Sequence, residues 1–532
     1  MKHNHLGVMI DVSRNSVMTV DALKRFLPLL KKAGYNTLML YTEDTFEIED
    51  EPYFGYMRGR YTKAELSEID AFAASLGIEV IPCMQTLAHL PAALRWGKIP
   101  VDYDDIMLVD DERTYEIIDR MFATLSSAIK SRTIHIGMDE AIMLGRGKFL
   151  DKHGYESAFT ILHRHLLRVK ALAEKYGYTC LMWSDMFFRP LGYDDYYIPK
   201  VELPKECKDT LIDGVVPVYW DYYHKKDEEY EDMLYNHVQL SKDVWFAGGA
   251  WGWTGIVPHN RYTLETMVPA MRACDKYKIK NIIFTMWGDY GGECSPFTRL
   301  PSLFHLAQYA RGERDDNKIK EKFEKKFGIA YDDMMALDLP NELPNAEDVA
   351  SPSRYMLFAD PFNGFPDYTV TKEHASYYTE YKERLSALAK KSKKFGYLFR
   401  TEAEICSVLE YKFALGVKTR EAYKAGDKDA LKSLATKDYT EVIRRLRTFY
   451  KAFRAQWYTD YRTCGFDVQD RRIGGTILRI ESCRERLLDY CAGKVERIEE
   501  LEAEILPVGN AEKGVASNRM FNYDEYVSTN IM

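Results

Sequence analysis

A chain of 532 residues, 46% apolar and 29% charged, is long enough for more than one hydrophobic core and has the composition of a soluble globular protein. Its net charge of −8 leaves no basic face for nucleic acid or an anionic membrane, so a small neutral ligand is the expected partner. Nine cysteines, scattered and never spaced Cys-x-x-Cys, argue against a disulfide framework and a zinc ribbon; with a start unlike a secretory signal, they make the cytoplasm the expected location.

From residue 6 to about 290, short apolar runs alternate with longer helix-like segments. Strands are expected at 6–12, 36–41, 78–84, 132–138, 179–184, 214–220, 244–250 and 281–287. Between the first two, Thr19 can cap a helix whose Leu23, Phe26, Leu27 and Leu30 share a face, with Gly34 as its stop. After the second, Thr62 and Glu65 have capping-box spacing, and Gly77 closes that helix. Eight β-α repeats predict an α/β fold, a (β/α)8 TIM barrel over 1–310, with its active site at the C-terminal ends of the strands. Residues 311–370, which include Pro340, Pro344, Pro352, Pro361 and Pro366, are expected to form an irregular connection. From 371 to 532 the pattern becomes α-helical, with helices expected at 373–395, 400–424, 427–456 and 474–505.

Chemistry collects just past the strands. In chain order the ends carry Asp11 and Arg14; Glu43 and Asp44; Gln85 and His89; Asp139 and Glu140; Trp183 and Asp185; Tyr219, Trp220 and Asp221; Trp251 and Trp253; then Trp287, Asp289 and Glu293. Acids and an arginine among indole walls suit a pyranose, whose hydroxyls need polar partners and whose C–H faces need flat apolar ones. The sharpest motif is His135-Ile136-Gly137-Met138-Asp139-Glu140, which ends an apolar run with two adjacent carboxylates. Such neighbours repel when both are ionised, so their roles should separate. Strand alternation sets His135, Gly137 and Asp139 on one face and Glu140 on the other or just beyond. Glu140, near Trp183, is expected to hold the raised pKa and give the proton, while Asp139 stays charged. His135 lies deep enough to be a core histidine.

These residues resemble the family 20 glycoside hydrolases, the β-N-acetylhexosaminidases. His-x-Gly-x-Asp-Glu at 135–140 is similar to that family's catalytic signature, and Gly7-Val8-Met9-Ile10-Asp11-Val12-Ser13-Arg14 resembles its first strand, which ends in a sugar-binding arginine. His89, Trp183, Trp220 and Trp287-Gly288-Asp289 fall where family positions are expected. The resemblance implies an exo-acting, retaining hydrolase in which the substrate's 2-acetamido oxygen is the nucleophile. Glu140 would be the acid and base, and Asp139 would orient the acetamido group and balance an oxazolinium-type intermediate. Arg14 and Asp289 would hold ring hydroxyls. Trp183, Trp220, Trp251 and Trp287 would enclose the sugar, with Trp253 also at this end. The substrate would be a small oligosaccharide or glycoconjugate with a terminal GlcNAc or GalNAc, and no metal or cofactor is called for. There are three departures. Trp251 and Trp253 stand where the family often has a tyrosine for the acetamido carbonyl, leaving Tyr219 or Tyr222 for that task. Asp289 replaces a more usual glutamate, and the chain starts almost at the first strand, without the α+β domain that commonly precedes the barrel.

Rival readings remain at this level. A two-carboxylate retaining glycosidase would draw its nucleophile from Asp185, Asp289 or Glu293. A non-catalytic sugar-binding barrel could share every tryptophan, and a metal-dependent hydrolase is prompted by His3-Asn4-His5, which lies at the wrong end of the first strand. The helical region offers a surface for a homodimer, and Arg462, Gly465, Phe466, Asp467 and Gln469 read as an inter-helix loop.

Overall fold

The computed structural model describes residues 3–191, 195–508, 512–520, 522–528 and 530. Eight parallel strands, β1 (His5–Asp11), β2 (Thr37–Tyr41), β3 (Glu79–Cys83), β4 (Thr133–His135), β5 (Thr179–Trp183), β6 (Val215–Trp220), β7 (Trp245–Gly249) and β8 (Asn281–Met286), pair in chain order and close into a TIM barrel. Gly7 is opposite Thr37, and β8 returns to β1 with Asn281 opposite His5. The strands are apolar along most of their length because a parallel barrel buries both faces of its sheet, one against helices and one against itself.

Period-two alternation sorts the two faces. Met9, Met39, Ile81, Leu181, Val218, Ala247 and Ile283 fill the interior, and Trp245 packs with them. Gly7 leaves room for its neighbours, since a Cβ there would lie 2.6 Å from the Ile283 side chain and 2.8 Å from Thr37 Cβ. Between the strands the expected helix signals hold: Thr19 accepts the Ala22 amide at 3.0 Å, Gly34 ends that helix at φ +121°, and Thr62 with Glu65 forms a capping box. His5 stacks on Trp245 at 4.7 Å at the N-terminal end of β1, far along the strand from Asp11.

The chain divides into two compact units. One comprises Met1–Ala250, Thr263–Trp287 and Ser302–Ile319 and holds the barrel; the other comprises Trp251–Tyr262, Gly288–Pro301 and Lys320–Met532 and is largely helical. Residues 311–370, expected to be irregular, contain helices at Asp316–Phe327, Tyr331–Met335 and Pro352–Phe358, the last with its proline in the first turn, where no amide is needed. Further on, the helix expected at 400–424 runs as Gly396–Lys412 and Leu415–Lys424, broken at Ala414, and that expected at 427–456 contains a π-helical turn, Leu434–Tyr439, before running on to Asp460. The helix expected from 474 starts at Phe466, after Gly465 at φ +90°, because burial of Phe466, Gln469 and Ile473 outweighs the helix-weakening Gly474-Gly475 pair. It stops at Cys491. Among the described residues, no helix is long and apolar enough to cross a membrane.

Candidate active site

Asp11 shares the inward face of Met9 at the end of β1, where the Ser13 amide and hydroxyl donate to it at 2.8 and 2.7 Å. Arg14 lies 3.7 Å from Asp11 and 3.1 Å from Glu43. The Tyr41 hydroxyl, one alternation earlier on β2, donates to Glu43 at 3.1 Å. Burial lifts the Glu43 carboxyl to about 7, with Arg14 opposing. The arginine is therefore pinned between two acids with part of its side chain still open.

The acid pair departs from the strand geometry that the sequence suggested. β4 ends at His135, and Gly137, Met138 and Glu140 adopt positive φ of 73°, 70° and 51°. Asp139 and Glu140 therefore stand on a kinked segment, and strand alternation does not set their directions. Neighbouring strands hold this segment: the His135 carbonyl accepts the Met84 amide at 2.9 Å, and the Gly137 carbonyl accepts the Trp183 amide at 3.2 Å. Gln85 fixes the turn from within, accepting the Met138 amide at 3.1 Å and donating to Asp139 at 2.7 Å and to the Tyr41 hydroxyl at 2.9 Å. His89 Nε2 lies 3.2 Å from Asp139 and 3.6 Å from Glu140, so the three side chains converge within 4.8 Å of one another. Glu140 is anchored through its backbone, whose amide donates to Asp185 at 2.9 Å, while Arg189 bridges Asp185 at 3.1 Å and the Glu140 carboxylate at 3.3 Å.

The surroundings separate the two acids. Burial disfavours the Asp139 anion, yet the charge and hydrogen bond of His89 and the Gln85 amide outweigh it and hold this carboxyl below its usual range. For Glu140, burial and the Asp139 charge raise the pKa, and His89, Arg189 and Arg14 offset them only in part. His89 is the counterpart: burial opposes its cation, but Asp139 lifts it to about 10. Burial with the Asp139 charge pushes Asp185 to about 6. Fully buried His135 is driven down to about 3 and is neutral; its Nδ1 accepts the Gly137 amide at 3.1 Å and its ring packs on Trp183 at 4.2 Å.

Aromatic rings gather around these acids. Trp183, 1% exposed, lies 5.9 Å from Trp287, which meets Tyr41 edge-on at 4.8 Å. Trp220 donates to Asp185 at 3.4 Å and stacks on Tyr222 at 5.5 Å, and the Tyr222 hydroxyl lies beside Trp287 and Thr285. Tyr219, proposed from sequence as a site residue, points the other way. Val218 and Trp220 face the barrel interior, so alternation turns Tyr219 outward, where its hydroxyl donates to Asp221 at 2.6 Å and its ring packs on His237 and Phe246. Trp251 and Trp253 stack on each other at 3.9 Å, and Asp289 opens a single 3-10 turn; all three belong to the helical unit. Glu293, a candidate nucleophile from sequence, is buried in that unit between Arg354 at 2.7 Å and Arg472 at 2.8 Å. The sequence did not single out Arg189, whose one signal is its i,i+4 spacing from Asp185, nor Tyr41, which period-two alternation links to Glu43.

Residues 3–200 match the model of the glycosyl hydrolase family 20 catalytic domain, and residues 332–520 match that of the glycoside hydrolase 20C C-terminal domain. The chain is 24% identical over 338 residues to hexosaminidase D of Homo sapiens, a match covering 58% of this chain and 66% of that protein, a little under two thirds of its length. Over 179 residues it is 28% identical to a β-N-acetylhexosaminidase of Cellulomonas fimi, covering 29% of this chain and 36% of that one. A solved family 20 exo-β-N-acetylglucosaminidase from Vibrio harveyi, in complex with N-acetylglucosamine, shares 15% identity at a TM-score of 0.48, covering 63% of this chain and 58% of that one. Models drawn from one enzyme family thus meet on the barrel strands that carry the acid pair and again on the helical region, and the chain belongs to glycoside hydrolase family 20, the β-N-acetylhexosaminidase family.

Proposed function

We propose that this chain removes terminal, non-reducing β-linked N-acetylhexosamine by retaining, substrate-assisted hydrolysis. The observation that carries the proposal is the opposite displacement of two consecutive carboxyls: Glu140 is held toward its acid form and Asp139 toward its anion. A neutral Glu140 donates its proton to the glycosidic oxygen as the bond to C1 breaks. The substrate's acetamido oxygen attacks C1 and gives a cyclic oxazolinium-type intermediate. Asp139 accepts the acetamido N–H and balances the positive charge that develops, an interaction strongest when that charge is present. Glu140, now a carboxylate, takes a proton from water as the water attacks C1, which restores the acetamido group and the β configuration.

The remaining groups act as positioners. His89 and Gln85 keep Asp139 ionised and fix its direction, and Asp185 with Arg189 holds the Glu140 backbone and side chain. Trp183, Trp220 and Trp287 supply flat apolar faces for the ring and the acetamido methyl, Arg14 supplies donors for ring hydroxyls, and Tyr222 takes the acetamido carbonyl in place of Tyr219. Hydrolysis of paired aryl β-GlcNAc, β-GalNAc and β-glucoside substrates, with the anomer of the first product recorded, tests the scheme. Turnover confined to the acetamido sugars, with a β first product, is expected. Comparable rates on the β-glucoside would overturn substrate assistance.

A further inference from the structure

More than half of the exposed large apolar side chains among the described residues sit on the segments that follow β2, β3 and β4, the same barrel end as the acid pair. Three of them form a group. Tyr53 and Tyr56, between β2 and the helix Lys63–Ser75, meet Trp96, between β3 and the helix Glu112–Ala128, with ring centroids 5.7 and 5.5 Å from the indole. The Tyr56 and Trp96 planes stand at 84°, a floor and a wall, and the three rings are 40%, 47% and 37% exposed.

The loops beneath are built rather than loose. The first is closed at its base by the Glu47 amide on the Tyr61 carbonyl and the Tyr61 amide on the Thr45 carbonyl, both at 2.9 Å, and Phe54 is buried edge-on against Phe46. The second is anchored by buried Ala93 and Leu94 and by the His89 amide on Asp105 at 3.0 Å. Cations lie over two of the rings, Arg95 5.4 Å from the Trp96 centroid and Lys98 5.4 Å from the Tyr53 centroid, while Tyr56 is the most exposed of the three.

We infer that Tyr53, Tyr56 and Trp96 form a carbohydrate platform for the sugars behind the scissile bond, so that the preferred substrate is an oligosaccharide rather than a simple glycoside. This rests on the proposed hydrolase reading and extends it to substrate size. Three observations favour a sugar chain as occupant. Exposed flat rings match sugar C–H faces, and the long Arg95 and Lys98 side chains beside them can donate to sugar hydroxyls. The platform is continuous with the site, since Trp96 shares its segment with His89, which touches both acids. From His89 to Trp96 the chain, shortened by the turn Pro91–Leu94, spans at most roughly 20 Å, within reach of a short oligosaccharide.

The test compares an aryl β-N-acetylglucosaminide with trisaccharides ending in β-GlcNAc in each of the common linkages, using the trisaccharide that the wild type hydrolyses fastest. Trp96→Ala and Tyr56→Ala should each lower kcat/KM on the trisaccharide about tenfold through KM, with kcat and aryl-glycoside rates nearly unchanged. Trp96→Phe, which keeps a stacking face, should recover most of the loss. Equal losses on both substrates, no loss on either, or no wild-type turnover of any trisaccharide would overturn the platform. A fall in sedimentation mass in Trp96→Ala would do the same and mark the rings as a contact between copies of the chain. A wild type inactive on the aryl glycoside as well would instead refute the hydrolase reading.

Discussion

Gly137→Ala is the perturbation that most directly tests how the acid pair is held. At φ +73° an alanine is strained, and its Cβ would fall on the Gln85 amide oxygen and 2.5 Å from Gln85 Cδ. The strain costs about 1–2 kcal/mol. Displacing Gln85 forfeits the bond to ionised Asp139, worth about 1.5–3 kcal/mol, and the Met138 amide bond, worth about 1 kcal/mol. A total of about 3.5–6 kcal/mol should appear as a lower urea midpoint with an unchanged slope. Loss of the Gln85 anchor also frees the Asp139 carboxylate, and a misplacement of about 1 Å is expected to lower kcat roughly 100-fold. Because the collision is with Gln85, the same substitution in a Gln85→Ala background should cost only the strain, about 1–2 kcal/mol. The Met84 carbonyl, 3.0 Å from the new Cβ, is present in both backgrounds and does not alter the comparison. Additive costs in the double mutant, or a wild-type midpoint in Gly137→Ala, would refute this account of the turn.

Four other outcomes follow from the same geometry. Glu140→Gln should lower kcat about 100- to 10,000-fold on substrates with poor leaving groups and much less on dinitrophenyl glycosides, whose departure needs little protonation; equal losses on both would remove the acid role. The pH profile should rise as Asp139 loses its proton and fall as Glu140 loses its own, and since the His89 cation lowers both pKa values, His89→Gln should shift both limbs to higher pH. His89 also has a raised folded-state pKa of about 10, so its contribution to stability is complete below its usual value of 6.5 and is lost as pH rises through 10; the wild-type melting temperature should decline across that window more than that of His89→Gln. Glu293→Gln should leave per-molecule activity near wild type while lowering stability by about 3–5 kcal/mol, because it removes the carboxylate that two arginines share; selective loss of kcat in a stably folded variant would make Glu293 a nucleophile candidate again.

Much of this protein is legible along the chain because the signals are local. The eight apolar runs, the Thr19 cap, the Thr62–Glu65 capping box and the glycine stops depend on residues a few positions apart, and they led to the barrel without any distant contact. The ordering of strand ends then brought His89, Asp139, Glu140 and Trp183 to one mouth by topology alone. Where a single strand was followed too far, the inference failed. Alternation carried through Asp139 missed that Gly137, Met138 and Glu140 turn left-handed, a conformation held by Gln85, 52 positions before Gly137, and by the strands on either side. Tyr219 followed its chemistry rather than its parity and faces outward. In the helical region, Gly474-Gly475 looks like a boundary locally, yet the helix passes through it because Phe466 and Ile473 are buried on the same face. The chemistry of the acid pair was written in two adjacent letters, but which acid keeps its proton depends on charges from other strands and loops, His89, Arg189 and Arg14, and only the fold brings those within range.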